Sequence, residues 1–287
     1  MSFSVNTNVG AMNALQVLSQ TTSQMATTQS RINTGLSVSS TKDDSAAYNI
    51  AQSLRGDIGG LTAVSSSLNN AKSVTDVATA GAESISDILN QMKTLAAKGD
   101  DDTLTADQRD QYNTDFKNLR DQITTIINSS NFNGINLLKG GGGSVSALQS
   151  LQGAGSVAPS NGAWDPSTLT VANLDLDLAG SVITIAASGD ISSQSAAHTM
   201  LSTIQDSQKN LATALSKLGS ASRTIDSQLT FTTKLSDALT SGVGNLVDAD
   251  LAKESANLQA LQVKQQLGVQ ALSIANQAPQ TILSLFR

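Results

Sequence analysis

Residues 50–96 read IAQSLRGDIGGLTAVSSSLNNAKSVTDVATAGAESISDILNQMKTLA, and the spacing of their apolar side chains decides the fold. One row comprises Leu54, Leu61, Leu68, Thr75, Ala82, Leu89 and Ala96. A second comprises Ile50, Asp57, Val64, Ala71, Ala78, Ile85 and Met92. Twelve of these fourteen positions are apolar, Thr75 and Asp57 being the exceptions. The rows alternate at intervals of three and four, the signature of a helix packed lengthwise against others. About 50 residues of helix at 1.5 Å per residue span ~75 Å. No compact globule of 287 residues needs an element that long.

Toward the N-terminus, Leu15, Leu18, Met25, Ile32 and Leu36 take heptad positions, with Thr22 and Gln29 as polar interruptions. Beyond residue 96 the helix is predicted to break at Gly99 and the acidic run Asp100-Asp101-Asp102. Thr105-Ala106-Asp107-Gln108 has the spacing of a capping box and predicts a second helix toward Ile127. Asn131-Phe132-Asn133-Gly134 signals a turn. Gly140 to Gly143 then open a stretch to about Ser195 that is rich in Gly, Ser and Asn. Two of the chain's three prolines, Pro159 and Pro166, lie there, and the third is Pro279. Proline breaks helix interiors, so their clustering leaves both flanks free to form long helices. Within the middle, Leu169–Val171, Leu174–Leu178 and Val182–Ile185 alternate like short strands. The heptad resumes at Leu211, Leu215, Leu218, Ile225, Leu229, Leu239, Val243 and Leu246, and a last helix carries Leu251, Leu258, Leu261 and Leu272. The expected fold is mainly α: a long antiparallel helical hairpin with a small β-containing tip and both termini at one end.

Composition narrows the function. Charged residues are 14% and aromatics 3%, against roughly 25% charged in an average domain. Such a chain suits thin helical packing in which small side chains let backbones approach. Its apolar stripes bury too little to offset chain entropy alone, so the ends are expected to order in an assembly. The net charge is −6 and the 17 Lys and Arg form no run; a nucleic-acid partner calls for a basic stripe, so none is expected, nor an anionic membrane. There is no cysteine, which removes disulfides and thiolate chemistry. The N-terminal residues lack the basic and apolar regions of a secretory signal, so any export is expected to use another route.

Arg31-Ile32-Asn33-Thr34-Gly35-Leu36, Lys42-Asp43-Asp44-Ser45-Ala46-Ala47, Phe132-Asn133-Gly134 and the run from Gln270 to Gln280, closing on Leu283-Ser284-Leu285-Phe286-Arg287, together resemble bacterial flagellin. The likeness covers about residues 1–140 and 195–287. The chain closes on Leu-Phe-Arg where Leu-Leu-Arg is common, and its middle is too short for large outer domains. The resemblance implies a filament subunit that is exported unfolded, without a cleaved signal, through the flagellar type III apparatus. Residues 1–40 and 245–287 would form an inner coiled coil, 41–140 and 196–244 a helical shell, and 141–195 the outer tip. Polymerisation would rest on Leu15, Leu18, Met25, Ile32 and Leu36 from one end and Leu251, Leu258, Leu261, Leu272, Ile282 and Leu283 from the other. The implied partners are further copies, other flagellins, an export chaperone, a filament cap protein and the hook–filament junction protein. A junction protein is itself the nearest alternative, being similar at both termini, but Ala275-Asn276-Gln277-Ala278-Pro279-Gln280 favours the filament subunit.

Other chemistry has little to work with. The one histidine, His198, cannot build a His-Glu-x-x-His metal site and reads as a surface or helix-start residue. Asp100-Asp101-Asp102 lacks the Gly and Glu of a calcium loop and reads as an acidic lead-in to a helix. Gly140 to Gly143 lacks the Lys-Ser/Thr of a phosphate loop and reads as a flexible connector. No catalytic, cofactor or metal residues are assigned. Asp43, Asp44, Arg31 and Arg55 are candidates for polar contacts between subunits. Thr22, Gln29, Asp57, Thr75, Ser222, Thr232 and Ser236 are read as polar positions that set the register between neighbouring strands. Leu89 to Leu95 resembles the segment read by the animal innate immune receptor, but Gln91 and Thr94 stand where a basic and an acidic residue are common, which implies weak activation.

Overall fold

A computed structural model describes residues 7–150 and 167–284, with side chains described as far as Gln277. The elements are α1 (Val9–Thr34), α2 (Ser45–Gly99), α3 (Ala106–Ser129), β1 (Val145–Ser150), β2 (Ser167–Val171), α4 (Gln194–Val247) and α5 (Leu251–Ser284). The chain divides into two compact units, Met1–Ile58 with Asp237–Arg287 and Gly59–Ser236. The division falls inside α2 and α4, past residue 40 and before residue 245.

In the unit Gly59–Ser236, α2 and α4 run antiparallel. Lys72 meets Asp226, and Gln208 Nε2 donates to Asn90 Oδ1 at 2.8 Å. From Leu61 onward, every position of the two α2 rows is buried, Thr75 included. Thr75 is tolerated because its hydroxyl donates to Ala71 O, 2.8 Å away on its own helix. Alanines at 71, 78, 82 and 96 keep the backbones close, and Phe116, Ile123 and Ile127 of α3 fill the space beside Leu89 and Met92. Helix α2 is 55 residues long. It stops where expected, at Gly99, and Thr105 then caps α3 in a full capping box with Gln108. Arg109 ties the two ends together, Nε donating to Gly99 O at 2.9 Å and Nη2 to Asp101 O at 2.8 Å. His198 stands exposed at the start of α4, 3.2 Å from Asp100.

The middle departs from expectation in three ways. Gly140 to Gly143 is an ordered turn rather than a flexible connector. Gly142 N donates to Lys139 O, and the Asn173 amide donates to the carbonyls of Asn136, Lys139 and Gly143, closing the turn from outside. A Cβ on Gly142 would lie 2.2 Å from Asn136 O, so glycine is required there. Secondly, Leu174–Leu178 and Val182–Ile185 are not strands. Asp175 and Ala179 sit at φ 48 and 62, values incompatible with a continuing pleat. The alternation still places Leu176, Ile183 and Ile185 fully inside, and Leu174 N and Leu176 N bond to Leu137 O and Leu138 O. Thirdly, β2 does contain Leu169–Val171, but its antiparallel partner β1 was not foreseen. Buried Asn136 supports this region, donating to Ile127 O and accepting from Leu138 N and Lys139 N.

In the other unit, α1 and α5 lie antiparallel. Asn8 Nδ2 donates to Ala275 O at 2.8 Å, and Arg31 pairs with Glu254 at 3.3 Å. The corners between α1 and α2 and between α4 and α5 are bonded together, with Ser37 N donating to Val247 O at 2.7 Å and Ala249 N to Gly35 O at 2.9 Å. Gly35, at φ 72, ends α1 in the left-handed conformation. Beside the corners, Ala51, Val243 and Val247 are buried with Leu36, Val38, Leu54 and Ile58 against them.

Candidate assembly surfaces

The packing of α1 on α5 separates residues that hold the chain to itself from those left outside. Going along α1, the covered positions are Ala11, Ala14, Leu18, Thr21, Met25, Thr28 and Ile32, with Arg31 half-buried beside the last. Along α5 they are Glu254, Leu258, Leu261, Gln265, Gly268, Leu272 and Ala275. Both follow an unbroken alternation of three and four, a heptad seam. It is short of bulk. Thr21, Thr28 and Glu254 are buried in it, and Gly268 lies close under the Leu18 side chain.

Leu18, Met25 and Ile32 are therefore seam residues, as are Leu258, Leu261 and Leu272. Leu36 belongs to the corner cluster. Leu15 and Leu251 are exposed, and the Ile282 and Leu283 side chains lie outside the described residues. Thr22 and Gln29 do not interrupt the seam. They are exposed, and Thr21 and Thr28 on the other flank of the Leu18–Met25–Ile32 row are buried in their place. The Thr21 hydroxyl donates to Val17 O at 2.8 Å, which lets a threonine serve inside a seam. Thr75 and Thr232 are likewise buried within their own unit, so neither is free to set a register against another chain. Asp57 is exposed, and Ser222 and Ser236 are half-buried.

Large apolar side chains remain outside among polar ones. Val9 (74% exposed), Met12, Leu15 and Val17 on α1, and Val263, Leu267, Val269 and Ile274 (69% exposed) on α5, are left to solvent, as is Ile50 on α2. Isolated apolar side chains on a surface are ordinary. With Leu251 there are nine on the two paired helices. Those farthest from the seam point outward on opposite sides of the pair, and on α1 Val9, Met12 and Leu15 line a shallow depression that runs to Gln24, so each outer side carries apolar surface of the kind that marks an interaction site. Periodicity alone missed most of them, because they fall outside any single heptad row.

The charged candidates are placed as follows. Arg31 Nη1 donates to Glu254 Oε1 within the chain, and its Nε is buried without a hydrogen-bond partner among the described residues. One oxygen of Asp43 accepts from the backbone N–H and the hydroxyl of both Ser39 and Ser40, at 3.0–3.1 Å. Those bonds, the Ser39 N–H first, hold its carboxyl below the usual carboxylate range. Asp44 caps α2 through Ala46 N and Ala47 N. Arg31 and the two carboxylates thus have partners inside the chain, whereas Arg55 has no ion pair among the described residues.

In the unit Gly59–Ser236, Gln91, Thr94 and Leu95 of α2 line an open groove of about 470 Å³ with Asp115, Asn118, Leu119 and Gln122 of α3. Among the described residues there is no group of His, Asp or Glu able to hold a metal, and no helix is long and apolar enough to cross a membrane.

The chain is similar to known proteins over nearly its whole length. The family description "Bacterial flagellin N-terminal helical region" matches residues 5–142, and "Bacterial flagellin C-terminal helical region" matches residues 201–286. Flagellin FljM of Caulobacter vibrioides is 42% identical over 284 residues, covering 99% of this chain and 98% of its own. A flagellin of Brucella melitensis is 36% identical over 289 residues, covering 99% of each. Relatives of matching length thus share the short middle. Among solved structures, a flagellar hook-associated protein of Vibrio parahaemolyticus has a TM-score of 0.56 at 18% identity, over 72% of this chain and all of that one. At that identity the likeness is one of fold.

Proposed function

The chain belongs to the bacterial flagellin family, and from that premise we propose how its two ends build a filament. Flagellins are structural subunits that polymerise into the flagellar filament, outside the cell, and this chain is such a subunit. The observation that carries the proposal is the exposed apolar side chains on the outer sides of the α1–α5 pair. Burying one Val, Leu or Ile contributes about 1.5–3 kcal/mol gross, and nine such side chains supply a driving force that survives the entropy of association. The seam lies inside the chain and the outer sides are covered by other copies. Heterologous contacts of this kind do not close, so they propagate into a helical polymer.

In this reading residues 1–40 and 245–287 form the inner coiled coil, 41–140 and 196–244 the surrounding shell, and 141–195 the outward tip. Leu15 and Leu251 contact neighbours directly, as do Ile282 and Leu283. Leu18, Met25, Ile32, Leu36, Leu258, Leu261 and Leu272 act through the pairing that presents the outer sides. The chain works as a structural element without catalysis. It leaves the cell by flagellar type III export without a cleaved signal. A chaperone covers the apolar C-terminal helix beforehand, a cap protein receives the subunit at the growing end, and the junction protein and other flagellins meet the same surfaces. Gln91 and Thr94 leave the α2–α3 groove without the charges of the receptor-read segment, so purified monomer activates the innate receptor weakly. Strong signalling at ordinary doses contradicts this.

The test is seeded polymerisation, read by sedimentation and negative-stain microscopy. Full-length chain elongates seeds into hollow filaments, and a chain lacking about 40 residues at each end stays a soluble helical monomer. Full-length chain that never elongates seeds overturns the filament reading.

A further inference from the structure

The α1–α5 pair carries, beside its exposed apolar side chains, a groove of about 360 Å³ with a definite charge. Arg31 and Lys264 line it together with polar Gln24, Thr27 and Asn257, and no carboxylate does. Arg31 pairs with Glu254 through Nη1, and its buried Nε has no hydrogen-bond partner among the described residues. Lys264 is exposed and makes no ion pair among them. A second groove of the same unit, about 720 Å³, is lined by Asp237, Asp248 and Asp250 and by no cation. Asp250 caps α5 through Ala252 N and Lys253 N; Asp237 and Asp248 are exposed.

We propose that the Arg31–Lys264 groove of one subunit receives the Asp237–Asp248 surface of a second copy, an electrostatic contact that fixes the axial offset between neighbours. The proposal rests on the filament reading above. In a homopolymer every copy repeats its acidic groove, and in a chain of net charge −6 the repulsion accumulates unless cations stand opposite. Arg31, whose side chain is 37% exposed, and exposed Lys264 offer cationic donors on one helix pair, while the buried Arg31 Nε is out of reach of a neighbour. The acidic groove ends at Asp250, the cap of α5, ten residues before Ala260 in the cationic groove, so these two positions lie ~15 Å apart along the helix axis. A neighbour displaced by about that distance brings opposite charges together, and one in register brings like charges together. Such complementarity selects register and suppresses wrong dockings.

The experiment uses the full-length chain in seeded polymerisation, comparing Lys264→Glu, Asp237→Lys/Asp248→Lys, and the triple swap, with circular dichroism of each monomer as a folding check. All three positions are exposed. The two reversals are expected to raise the critical concentration about tenfold or more, and the triple swap to return it to within about threefold of the natural chain. Lys264→Glu elongating at the natural critical concentration overturns the proposal. So does a triple swap that assembles no better than the poorer reversal. Failure of the natural chain to elongate seeds overturns the filament reading instead, so the two failures are distinguishable.

Discussion

Replacing Gly81 with alanine sets helix propensity against packing in the middle of α2. Propensity favours alanine over glycine by about 1 kcal/mol in a helix interior. The surroundings oppose it. A Cβ at Gly81 would lie 2.3 Å from Ser130 Oγ, 3.2 Å from Ser130 Cβ and 2.8 Å from Leu138 Cδ1. The serine hydroxyl is not free to swing away, since it donates to Ile126 O at 2.7 Å, a bond worth about 1 kcal/mol. Leu138 is fully buried, so its methyl has nowhere to retreat. Overpacking of this kind costs about 1–3 kcal/mol. With the lost bond added and the propensity gain subtracted, Gly81→Ala should destabilise by about 1–3 kcal/mol. Gly59, on the same helix and in the same unit, has nothing within 4 Å of its position for a Cβ, so Gly59→Ala should stabilise by about 0.5–1 kcal/mol. Urea unfolding of unseeded monomer, followed by helical circular dichroism, compares the midpoints at equal slope. A stabilised Gly81→Ala, matching Gly59→Ala, would refute the close approach of the 130–138 segment to α2.

Two further outcomes follow from named contacts. Removing Arg31, Glu254 or both in a double-mutant cycle should give a coupling of about 1 kcal/mol, discounted from a fully buried pair because Arg31 is 37% exposed. Amide exchange along α1 reads it, and additive effects would mean that the pair fastens nothing. Asp43 has a carboxyl held low in the folded chain. Its contribution is present above the unfolded value near 3.9 and is lost as pH falls through the lower folded value. A side-chain NMR titration should therefore place Asp43 below ordinary aspartates, and replacing Ser39 and Ser40 together with alanine should bring it only part of the way back, since both backbone N–H donors remain; an ordinary midpoint in the natural chain refutes the turn.

The length of α2, its stop at Gly99 and the Thr105–Gln108 cap were legible because each follows from spacing alone. The inner flank of α1 was not. The row Leu18, Met25 and Ile32 has neighbours on both sides, and apolar Leu15 draws the reading toward the side that solvent occupies. The buried side carries Thr21 and Thr28, whose hydroxyls disguise it. In the middle, the alternation of Leu174, Leu176 and Leu178 correctly indicates which side chain turns inward, but not that Asp175 at φ 48 breaks the strand. Strand β1 was missed because Val145-Ser146-Ala147-Leu148 breaks the alternation at Leu148 and offers one β-branched residue, Val145. Which apolar residues of the ends face outward depends on the antiparallel pairing of helices more than 200 residues apart, and that no local pattern reveals.

The central claim is that the seam holding α1 to α5 and the outer sides that build the filament are different sets of side chains. Val17→Ser/Leu267→Ser tests it most directly, because both positions lie outside the seam and are exposed. The account predicts a monomer whose unfolding midpoint shifts by no more than about 0.5 kcal/mol, and which no longer elongates seeds. Filament growth by this variant at the natural critical concentration would contradict it.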